Sequence, residues 1–597
     1  MKSPRFDTRA KPLRRIFSAE NIERVWRDKV RLSMRQQFVV DGIEHFDFHV
    51  AVVNESSKLS KLIMSGDYVP SRPQRILVEK SKGLCRQLVI PSVADAIVLQ
   101  CLSDALYKEI KGQAPTEKSF FEPKDHRFSN VRSNYGTFAA WLNFQKGLFK
   151  FTEERPFIVV TDIANYYDSI SYIHLRNVIS STTSVQEPVL DMLIYVLGDL
   201  LWQPDYSPRI EVGLPQMNLD APRLLAHCFL YELDKCLDSA GDKDFVRYMD
   251  DIDVGVDSVV AARRVLQEID LILQTRQVRL NSGKTQILSA EDAALHFRVM
   301  ENAELDEFGK RLDDRIRRKR SLAAQRRRVE KEIARGIQRG SFDGGSGDKV
   351  LKRWISLAIK TGANITPRKL RHIILSRPAV RENAFEYIMR QPLTADRARL
   401  LAECAESGHL VDDAGMVDLA NNLVDTCVLL KRGRHASILR ILECCKVETY
   451  FGLYCRLWLG SKYLSAQEMF DLAKRTRGVW AAHDRLGRLV GAFAPIFEGE
   501  GLRSELLKLI VLSGNQGALT TFKFHERLKS DGLTFNNMFQ ALRTPNPSRG
   551  TGITHAKFLC LLSALKNESA TARQLELLRT ANKSVFSDTY YGRYAQG

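Results

Sequence analysis

The stretch FVRYMDDIDVGV, residues 245–256, consists of two short apolar segments on either side of an adjacent pair of aspartates. Apolar segments of this length joined by a tight acidic turn predict a β-hairpin that carries both carboxylates at its tip. Two carboxylates held side by side repel each other unless a cation lies between them, and their hard oxygen atoms favour Mg²⁺ or Mn²⁺. Asp250 and Asp251 are therefore candidate metal ligands.

A third acidic position follows a predicted strand further upstream. Residues 157–161 read FIVVT, a continuous apolar run typical of a buried strand, and Asp162 comes directly after it. Taken alone, Asp162 is equally well explained as the N-cap of a following helix. Combined with Asp250 and Asp251, it predicts a site for two divalent ions, which would activate an attacking hydroxyl group and stabilise a leaving phosphate oxygen.

Segments that resemble the motifs of reverse transcriptases surround these acids, in the order typical of that family. They are the fingers pattern at Lys82, Arg86, Pro91 and Asp95, motif A at 162–170, motif B at 213–216, motif C at 248–251 and motif D at 280–285. A YxDD tetrapeptide alone is a weak signal, but the ordered set is much more specific. The resemblance extends over residues 75–300 and implies the fingers and palm of a right-hand polymerase.

The resemblance implies which side chains bind metal and act in catalysis. Asp162, Asp250 and Asp251 would hold two Mg²⁺ or Mn²⁺ ions, with the backbone carbonyl of Ile163 as an additional ligand. Lys284 would act in catalysis as the motif D lysine, which protonates pyrophosphate.

It also implies four substrate-binding residues. Lys82 and Arg86 would neutralise the triphosphate, since phosphate groups favour fixed cationic donors, whereas a surface ion pair is the alternative role for each. Tyr167 lies where this family places an aromatic steric gate against the ribose 2′-hydroxyl, which predicts a preference for dNTPs over NTPs. Gln216 belongs to the motif B loop, which packs under the template base and sugar.

Two positions depart from the pattern of the family. Motif B usually has glycine after Pro-Gln, whereas here Met217 would add bulk where the backbone lies close to a template–primer duplex. The fingers pattern commonly has arginine after its aspartate, whereas Asp95 is followed by Ala96. These departures predict an unusual or restricted template, or none. Asp168 and Asp253 are expected to be structural.

The rest of the chain is predicted to be helical. Residues 310–339 are strongly basic, and GSFDGGSG at 340–347 is a linker by composition. The predicted fold class is α/β plus all-α, with polymerase fingers and palm followed by a HEAT-like α-repeat domain. The predicted domains are an N-terminal helical region (1–74), fingers and palm (75–300), a thumb-like basic helical stretch (301–339), a linker (340–348) and an α-helical repeat domain (349–597).

Composition and charge narrow the partners and the compartment. The 597 residues include 89 Lys and Arg against 71 Asp and Glu, and the net charge of +18 favours a polyanionic partner such as nucleic acid. The ten cysteines show no metal-ligand spacing, and no apolar stretch approaches the length of a membrane span. We therefore expect a cytoplasmic protein with reduced thiols and no membrane association.

The palm, the basic stretch and the long helical half together resemble the prokaryotic abortive-infection and defence-associated reverse transcriptases of the unknown group. This resemblance implies an RNA-directed or untemplated DNA polymerase in antiphage defence. The implied partners are dNTPs, the DNA product, an RNA template such as a non-coding RNA, and a second copy of the chain bound through the helical domain.

Members of this subgroup can start DNA synthesis from a protein hydroxyl group. A tyrosine is chemically suited to this role, which makes Tyr590, Tyr591 and Tyr594 candidate primers in a segment expected to be mobile. Ordinary packing of these aromatic side chains is the alternative.

Two other functions remain open from the sequence. One is a retron-like or other mobile-element reverse transcriptase. The second is a non-catalytic scaffold that binds nucleic acid through its helical half.

Overall fold

The computed structural model describes residues 4–121, 138–204, 206, 208, 210–239, 244–429, 434–497, 501–546 and 549–594. This part of the chain is mostly helical with a small sheet, so the predicted combination of a mixed region and an all-helical region is confirmed at that level. The chain forms two compact units, each assembled from separate segments. The first unit comprises Met1–Gln36, Val52–Ile76 and Gln87–Ala303, and the second comprises Gln37–Ala51, Leu77–Arg86 and Glu304–Gly597.

The helices up to residue 296 are α1 (Pro4–Ile16), α2 (Ala19–Val25), α3 (Arg31–Arg35), α4 (Phe46–Val50), α5 (Val52–Ser65), α6 (Val93–Gly112), α7 (Phe138–Glu154), α8 (Tyr166–Ser169), α9 (Tyr172–Thr182), α10 (Glu187–Leu200), α11 (Asp220–Phe229), α12 (Tyr231–Ser239), α13 (Val259–Thr275) and α14 (Ala290–His296). The strands in the described residues are β1 (Gln74–Ser81), β2 (Leu84–Ile90), β3 (Phe157–Thr161), β4 (Asp244–Tyr248), β5 (Asp251–Val256) and β6 (Gln286–Ser289). The later helices are α15 (Val299–Arg317), α16 (Ala323–Gln338), α17 (Gly347–Thr361), α18 (Pro367–Ser376), α19 (Pro378–Met389), α20 (Ala395–Glu406), α21 (Asp413–Asp425), α22 (His435–Cys444), α23 (Tyr450–Tyr463), α24 (Ala466–Arg475), α25 (Arg477–Trp480), α26 (Asp484–Ala492), α27 (Leu502–Ser513), α28 (Gln516–Ser530), α29 (Gly532–Arg543), α30 (His555–Ala564) and α31 (Ala572–Ala581).

A four-stranded sheet of order β4-β5-β3-β6 organises the first unit, and every neighbouring pair in it is antiparallel. The predicted strand over 157–161 is β3, and the predicted hairpin over 245–256 is β4 and β5. The central strand β3 is apolar because it lies between two neighbours, and Ile158 and Val159 are fully buried. On the outer side of β4, the amide of Phe120 donates to the Arg247 carbonyl (2.8 Å), and the Arg247 amide donates to the Lys118 carbonyl (3.1 Å).

The two faces of the sheet pack against different helices. Helices α7 and α14 cover one face, where Phe144, Leu148 and Val246 belong to one apolar core. Because side chains alternate along a strand, Tyr248 shares this face with Val246, whereas Arg247 points to the opposite face. There Arg247 meets helices α11 and α12.

The second unit consists mainly of helices that pack against the helix two positions further along the chain. These pairs are α17 with α19, α18 with α20, α19 with α21, α20 with α22, α21 with α23, α26 with α28, α28 with α30 and α29 with α31. Such packing is typical of stacked helical pairs. Helix α24 begins at a capping box formed by Ser465 and Glu468. The HEAT-like assignment stays a prediction.

The segment predicted as a linker, 340–348, is a packed turn after α16 that runs into the first residues of α17. Phe342 is buried, and a Cβ atom on Gly336 would lie 2.3 Å from its ring. Arg377 donates to the Phe342 carbonyl (3.0 Å) and to Asp348 (2.8 Å). The glycines and serines indicated a flexible connection, but a single aromatic anchor and an arginine from α18–α19 fix the segment in place.

The compact units also divide the chain differently from the predicted domains. The division falls between Ala303 and Glu304, inside α15, and residues 37–51 and 77–86 join the second unit. For 37–51 the reason is Arg488, whose guanidinium binds the buried carboxylates of Asp41 (2.5 Å) and Asp47 (2.8 Å). Ion pairs between residues so far apart in sequence leave no local pattern in composition.

All ten cysteines are free thiols. Among the helices described, none is long and apolar enough to cross a membrane.

Candidate active site

Asp162 lies at the end of the central strand, where the sheet gives way to α8. It is 7% exposed, and its Oδ1 atom is buried without a hydrogen-bond partner in the described part of the structure. The main chain continues to pair beyond β3, since the Asn281 amide donates to the Asp162 carbonyl (2.8 Å) and Ile163 bridges Leu280. The predicted N-cap role is absent, because the residue before α8 is Asn165. A buried carboxylate oxygen without a donor is a polar group that a cation would satisfy.

Asp250 lies in the tight turn between β4 and β5, and Asp251 is the first residue of β5. Tyr248 pairs with Asp251 across the turn, so Met249 and Asp250 form its tip. Met249 has φ of 59°, a left-handed conformation that an L-residue with a side chain adopts at a cost. Asp251 is exposed and Asp250 is half-buried, which leaves both near solvent.

The sheet register brings the strand end and the hairpin together. Thr161 pairs with Ile252 and Val160 pairs with Asp253, so the next position along β3, Asp162, lies opposite Asp251. Residues directly opposite each other in an antiparallel pair point to the same face, with Cβ atoms about 5 Å apart. The structure therefore brings the predicted acids Asp162 and Asp251 side by side at one end of the sheet, next to Asp250.

Lys284 reaches this group of acids from the turn before β6. Its ammonium forms a hydrogen bond with Oδ2 of Asp162, although its side chain is 68% exposed. Partial burial alone would lower the pKa of Lys284, but the bond to Asp162 and the attraction of Asp251 and Asp250 raise the pKa above its usual value. One lysine thus experiences the charge of all three carboxylates.

The donor chemistry of this group suits hard divalent cations, although the side chains do not form a closed ligand set. In the described residues, no three acidic, histidine or cysteine side chains are arranged to hold a metal ion. The fit instead rests on the hard carboxylate oxygens, the side-by-side placement of Asp162 and Asp251, and the buried Oδ1 atom of Asp162. In the structure, the ammonium group of Lys284 provides the positive charge beside Asp162.

The motif A and motif B segments pack against each other within the first unit. The Leu214 amide donates to the Tyr167 carbonyl (2.8 Å), and the Gln216 side chain lies 3.4 Å from Asp168. Gly213 has φ of 110°, a conformation that favours glycine at this turn. Tyr167 and Gln216 are therefore brought together as parts of one packed loop, and both side chains are half-buried.

The two cations of the fingers pattern lie on the β1–β2 hairpin. Lys82 is at the turn with φ of 53°, Arg86 is in β2, and both are exposed. Residues 77–86 belong to the second unit, while the acids belong to the first. Asp95 is structural, because its buried carboxylate accepts hydrogen bonds from Tyr68 (2.7 Å) and Ser92 (2.6 Å).

Met217, Asp253 and Asp168 also have defined positions in the first unit. Met217 is buried, so its side chain packs inside the first unit and does not present bulk at the surface. Asp253 is buried in the middle of β5, between Val160 and Val246. Asp168 is exposed at the end of α8.

The tail that carries the candidate primer tyrosines is packed, contrary to the expected mobility. Tyr590 and Tyr591 are buried, and their hydroxyl groups lie 3.0 Å from His435 and 2.7 Å from His555. Burial raises the pKa of Tyr591 well above its usual value, which disfavours the phenolate form needed for attack. Of the three tyrosines, Tyr594 keeps a partly exposed side chain.

Arg247 contacts the acidic turn and was not singled out by the sequence analysis. Its Nη1 atom donates to the Met249 carbonyl (2.8 Å), while Nε and Nη2 bind the two oxygens of Asp234 (2.7 and 2.5 Å). The one available signal was a charged residue inside an otherwise apolar strand, in FVRY.

The likenesses of the chain to known proteins include one by sequence and one by structure. No family model matches the chain. Protein YkfC of Escherichia coli (strain K12) is 26% identical over 207 residues, which cover 33% of this chain, and the chain spans about half (49%) of the length of that relative. The structure of apo telomerase from Candida Tropicalis aligns with 68% of this chain and 72% of that chain, at 10% identity and a TM-score of 0.29. Likenesses of this size do not show the family of the chain.

Proposed function

We propose that the chain is a DNA polymerase of reverse-transcriptase type, which adds dNTPs to a hydroxyl group by two-metal catalysis. The observation that carries this proposal is the meeting of Asp162 with Asp251 at the end of the sheet, beside Asp250 and within reach of Lys284. Three carboxylates from two distant segments repel one another at close range, so their convergence requires positive charge. A nucleotidyl-transfer site requires such a convergence, because it must hold cations next to phosphate groups.

In this proposal the acids hold two Mg²⁺ or Mn²⁺ ions. Asp162, Asp250 and Asp251 provide the carboxylate ligands, and the main chain at Ile163 provides an additional oxygen. When bound, such ions lower the pKa of an attacking hydroxyl group and stabilise the leaving pyrophosphate. The buried Oδ1 atom of Asp162 supports this role, since it has no hydrogen-bond donor among the described residues.

Lys284 would deliver a proton to the leaving pyrophosphate. It is protonated at neutral pH, because the neighbouring carboxylates raise its pKa. Its exposed side chain is free of packing restraints on most of its length, so the ammonium can leave Asp162 when a divalent ion arrives. The same side chain would then be available to an anionic group at the site.

Substrate selection would come from the loop formed by motifs A and B. Tyr167 is held by the main-chain bond to Leu214 and lies five residues after Asp162, where it would exclude a ribose 2′-hydroxyl group. Gln216 would contact the template side, and Lys82 and Arg86 would bind the triphosphate. Their exposure supports contact with a charged ligand.

The basic helical pair α15–α16 would bind the nucleic-acid backbone. Several of its arginines are paired with acids of the same pair, including Arg311 with Glu307 and Arg328 with Glu304. The turn between the two helices, in contrast, presents Arg317, Lys319 and Arg320 as exposed cations. In a thumb-like role, this turn would be the part of the pair that contacts nucleic acid. The net charge of +18 supports a polyanionic partner.

The proposal extends to biological role and partners. We place the chain in antiphage defence, with dNTPs as substrates, DNA as product and an RNA, such as a non-coding RNA, as template where one is used. The stacked helices of the second unit support a HEAT-like repeat domain, which would also join two copies of the chain. If the protein primes DNA synthesis, Tyr594 would provide the hydroxyl group, because Tyr590 and Tyr591 are buried.

Primer extension with the purified chain tests the polymerase proposal. We expect incorporation of labelled dNTPs in Mg²⁺ or Mn²⁺, and none by a variant with Asp250→Asn and Asp251→Asn. A double variant that incorporates dNTPs as the wild type does would exclude the polymerase. Full phage protection by that variant would instead favour a non-catalytic scaffold. Sequencing of the nucleic acid that copurifies with the protein would distinguish a defence role from a mobile-element role.

Mass spectrometry after incubation with dNTPs tests protein priming. We expect a nucleotide-modified peptide that contains Tyr594, and its loss in Tyr594→Phe. A product without attached peptide would exclude priming by the protein.

A further inference from the structure

We propose that Arg247 is a positioning residue, which holds the Asp250–Asp251 turn in the geometry that binds divalent cations. This inference rests on the proposed function. Arg247 itself points away from the acids, to the face of the sheet covered by α11 and α12. It acts on them through the main chain of the turn.

The guanidinium of Arg247 connects helix α12 to the acidic turn. Nε and Nη2 bind both oxygens of Asp234 at 2.7 and 2.5 Å, and Nη1 donates to the Met249 carbonyl at 2.8 Å. Nη2 also lies 3.4 Å from the His227 carbonyl. A planar guanidinium can direct donors at a carboxylate and at a carbonyl at the same time, whereas the point-like ammonium of lysine lacks this fork.

The main chain of Arg247 is also held in place. Its amide and carbonyl bond to Lys118 (3.1 Å) and Phe120 (2.8 Å) in the segment beside β4. The side chain therefore extends toward Met249 from a backbone that is bonded on both sides. Because Met249 has φ of 59°, the turn that it occupies requires an external restraint to keep one geometry.

Stability alone does not explain this arrangement. The side chains of Arg247 and Asp234 are both fully buried, and well-packed apolar residues in place of such a pair are often equally stabilising. An apolar pair would lack the third donor, which binds the carbonyl next to Asp250. Substitution of a residue that orients metal ligands without touching the metal typically lowers metal affinity or activity by about 10- to 100-fold.

Binding of Mn²⁺ alone to the full-length chain tests the inference, measured by titration calorimetry or by the electron paramagnetic resonance signal of free Mn²⁺. We expect Arg247→Lys to lower the Mn²⁺ affinity about tenfold or more, and saturating Mn²⁺ to restore much of the nucleotide incorporation. The matched control is Arg488→Lys, a buried arginine of the second unit that binds Asp41 and Asp47. It should lower thermal stability while the Mn²⁺ affinity stays within twofold of the wild type.

Asp250→Asn separates this inference from the proposed function. If Asp250→Asn removes Mn²⁺ binding while a folded Arg247→Lys binds within twofold of the wild type, the positioning role is wrong and the metal site stands. If the wild type does not bind Mn²⁺, or Asp250→Asn binds it unchanged, the proposed function fails first. If Arg247→Lys does not fold, Asp234→Asn replaces it as the test variant, because it keeps the side-chain volume and a carbonyl acceptor. Its Mn²⁺ affinity is judged by the same limits: a loss of tenfold or more supports the inference, and a value within twofold of the wild type contradicts it.

Discussion

The buried acids of the second unit and the acids at the end of the sheet in the first unit are neutralised in different ways. In the second unit, Asp41 and Asp47 share the guanidinium of Arg488, and Asp588 is bound by Lys462 in a fully buried pair. At the end of the sheet in the first unit, Asp162 is paired with Lys284, whose side chain is 68% exposed. The second oxygen of Asp162 has no hydrogen bond among the described residues.

This difference separates charges that stabilise the fold from charges that are available for chemistry. A buried arginine cannot leave its carboxylate without exposing both charges to an apolar interior, which costs several kcal/mol. An exposed lysine can leave, because water solvates it at once and surface ion pairs contribute only about 0–1 kcal/mol. The acids at the sheet end are thus the ones that an incoming cation can bind.

The largest expected effect tests the chemical side of this comparison. Asp162→Asn should reduce dNTP incorporation by about 10³-fold or more, because stabilisation by a bound metal ion is worth several kcal/mol of barrier. Its thermal stability should stay close to that of the wild type, since the lost partner, Lys284, is largely exposed. Primer extension and a thermal melt on the same preparation check both parts. A large drop in melting temperature would show that Asp162 is a structural charge like those of the second unit.

The next effect tests the structural side. Arg488→Ala should destabilise the chain by about 3–5 kcal/mol, because it leaves two buried carboxylates without a cation. The matched control is Arg311→Ala, which removes an exposed pair with Glu307 and should change stability by about 0.5 kcal/mol or less. Denaturant unfolding measures both. Equal effects of the two variants would contradict the distinction between buried and exposed pairs.

Stability of the second unit should also fall with acidification. Burial lowers the pKa of His45 to about 4, although the neighbouring Asp41 opposes this shift. The unfolded chain therefore takes up a proton near pH 6.5 that His45 in the folded chain does not accept. The contribution of His45 to stability is fully present above that pH and declines below it, by about 2 kcal/mol at pH 5. Thermal melts at pH 7 and pH 5 measure this loss.

His45→Gln provides the control for that pH effect. It should show a smaller loss of stability between pH 7 and pH 5 than the wild type. Asp41 does not confuse the result. Burial alone would raise the pKa of Asp41, but the charges and hydrogen bonds of Arg488 and His45 together lower it, so its contribution is lost only below about pH 4. An unchanged loss in His45→Gln would assign the pH dependence to other groups.

The smallest expected effect sharpens the role of the exposed lysine. Lys284→Ala should raise the affinity for Mn²⁺ roughly two- to fivefold, since it removes a cation that competes for Asp162. Lys150→Ala, which removes an exposed lysine paired with Glu154 on α7, should leave the affinity unchanged. Calorimetric titration distinguishes the two. Weaker binding by Lys284→Ala would mean that the lysine supports the metal site.

The local parts of the fold and site could be predicted because local signals determine them. The apolar run before Asp162 and the paired segments around Asp250 and Asp251 have strand lengths and a tight turn between them, and the structure has β3, β4 and β5 at these positions. The register that brings Asp162 opposite Asp251 was not visible in sequence, although the motif order indicated a meeting of these acids.

The rest could not be predicted because it depends on contacts between distant residues. Arg488 and Asp41 are separated by more than 400 positions, and nothing near either residue indicates the other. Phe342 fixes a segment whose glycines and serines are typical of a linker. Tyr591 is buried by His555 and its neighbours, although its tail has the composition of a mobile segment.

The pairing of residues 118–120 with β4 has a consequence for the protein at high concentration. An outer strand with unpaired amide and carbonyl groups offers a template on which a second molecule can add its own strand and begin an aggregate. Here the amide and carbonyl of Arg247 already bond to Lys118 and Phe120. At Arg247 the chain thereby occupies the groups that intermolecular strand addition would use.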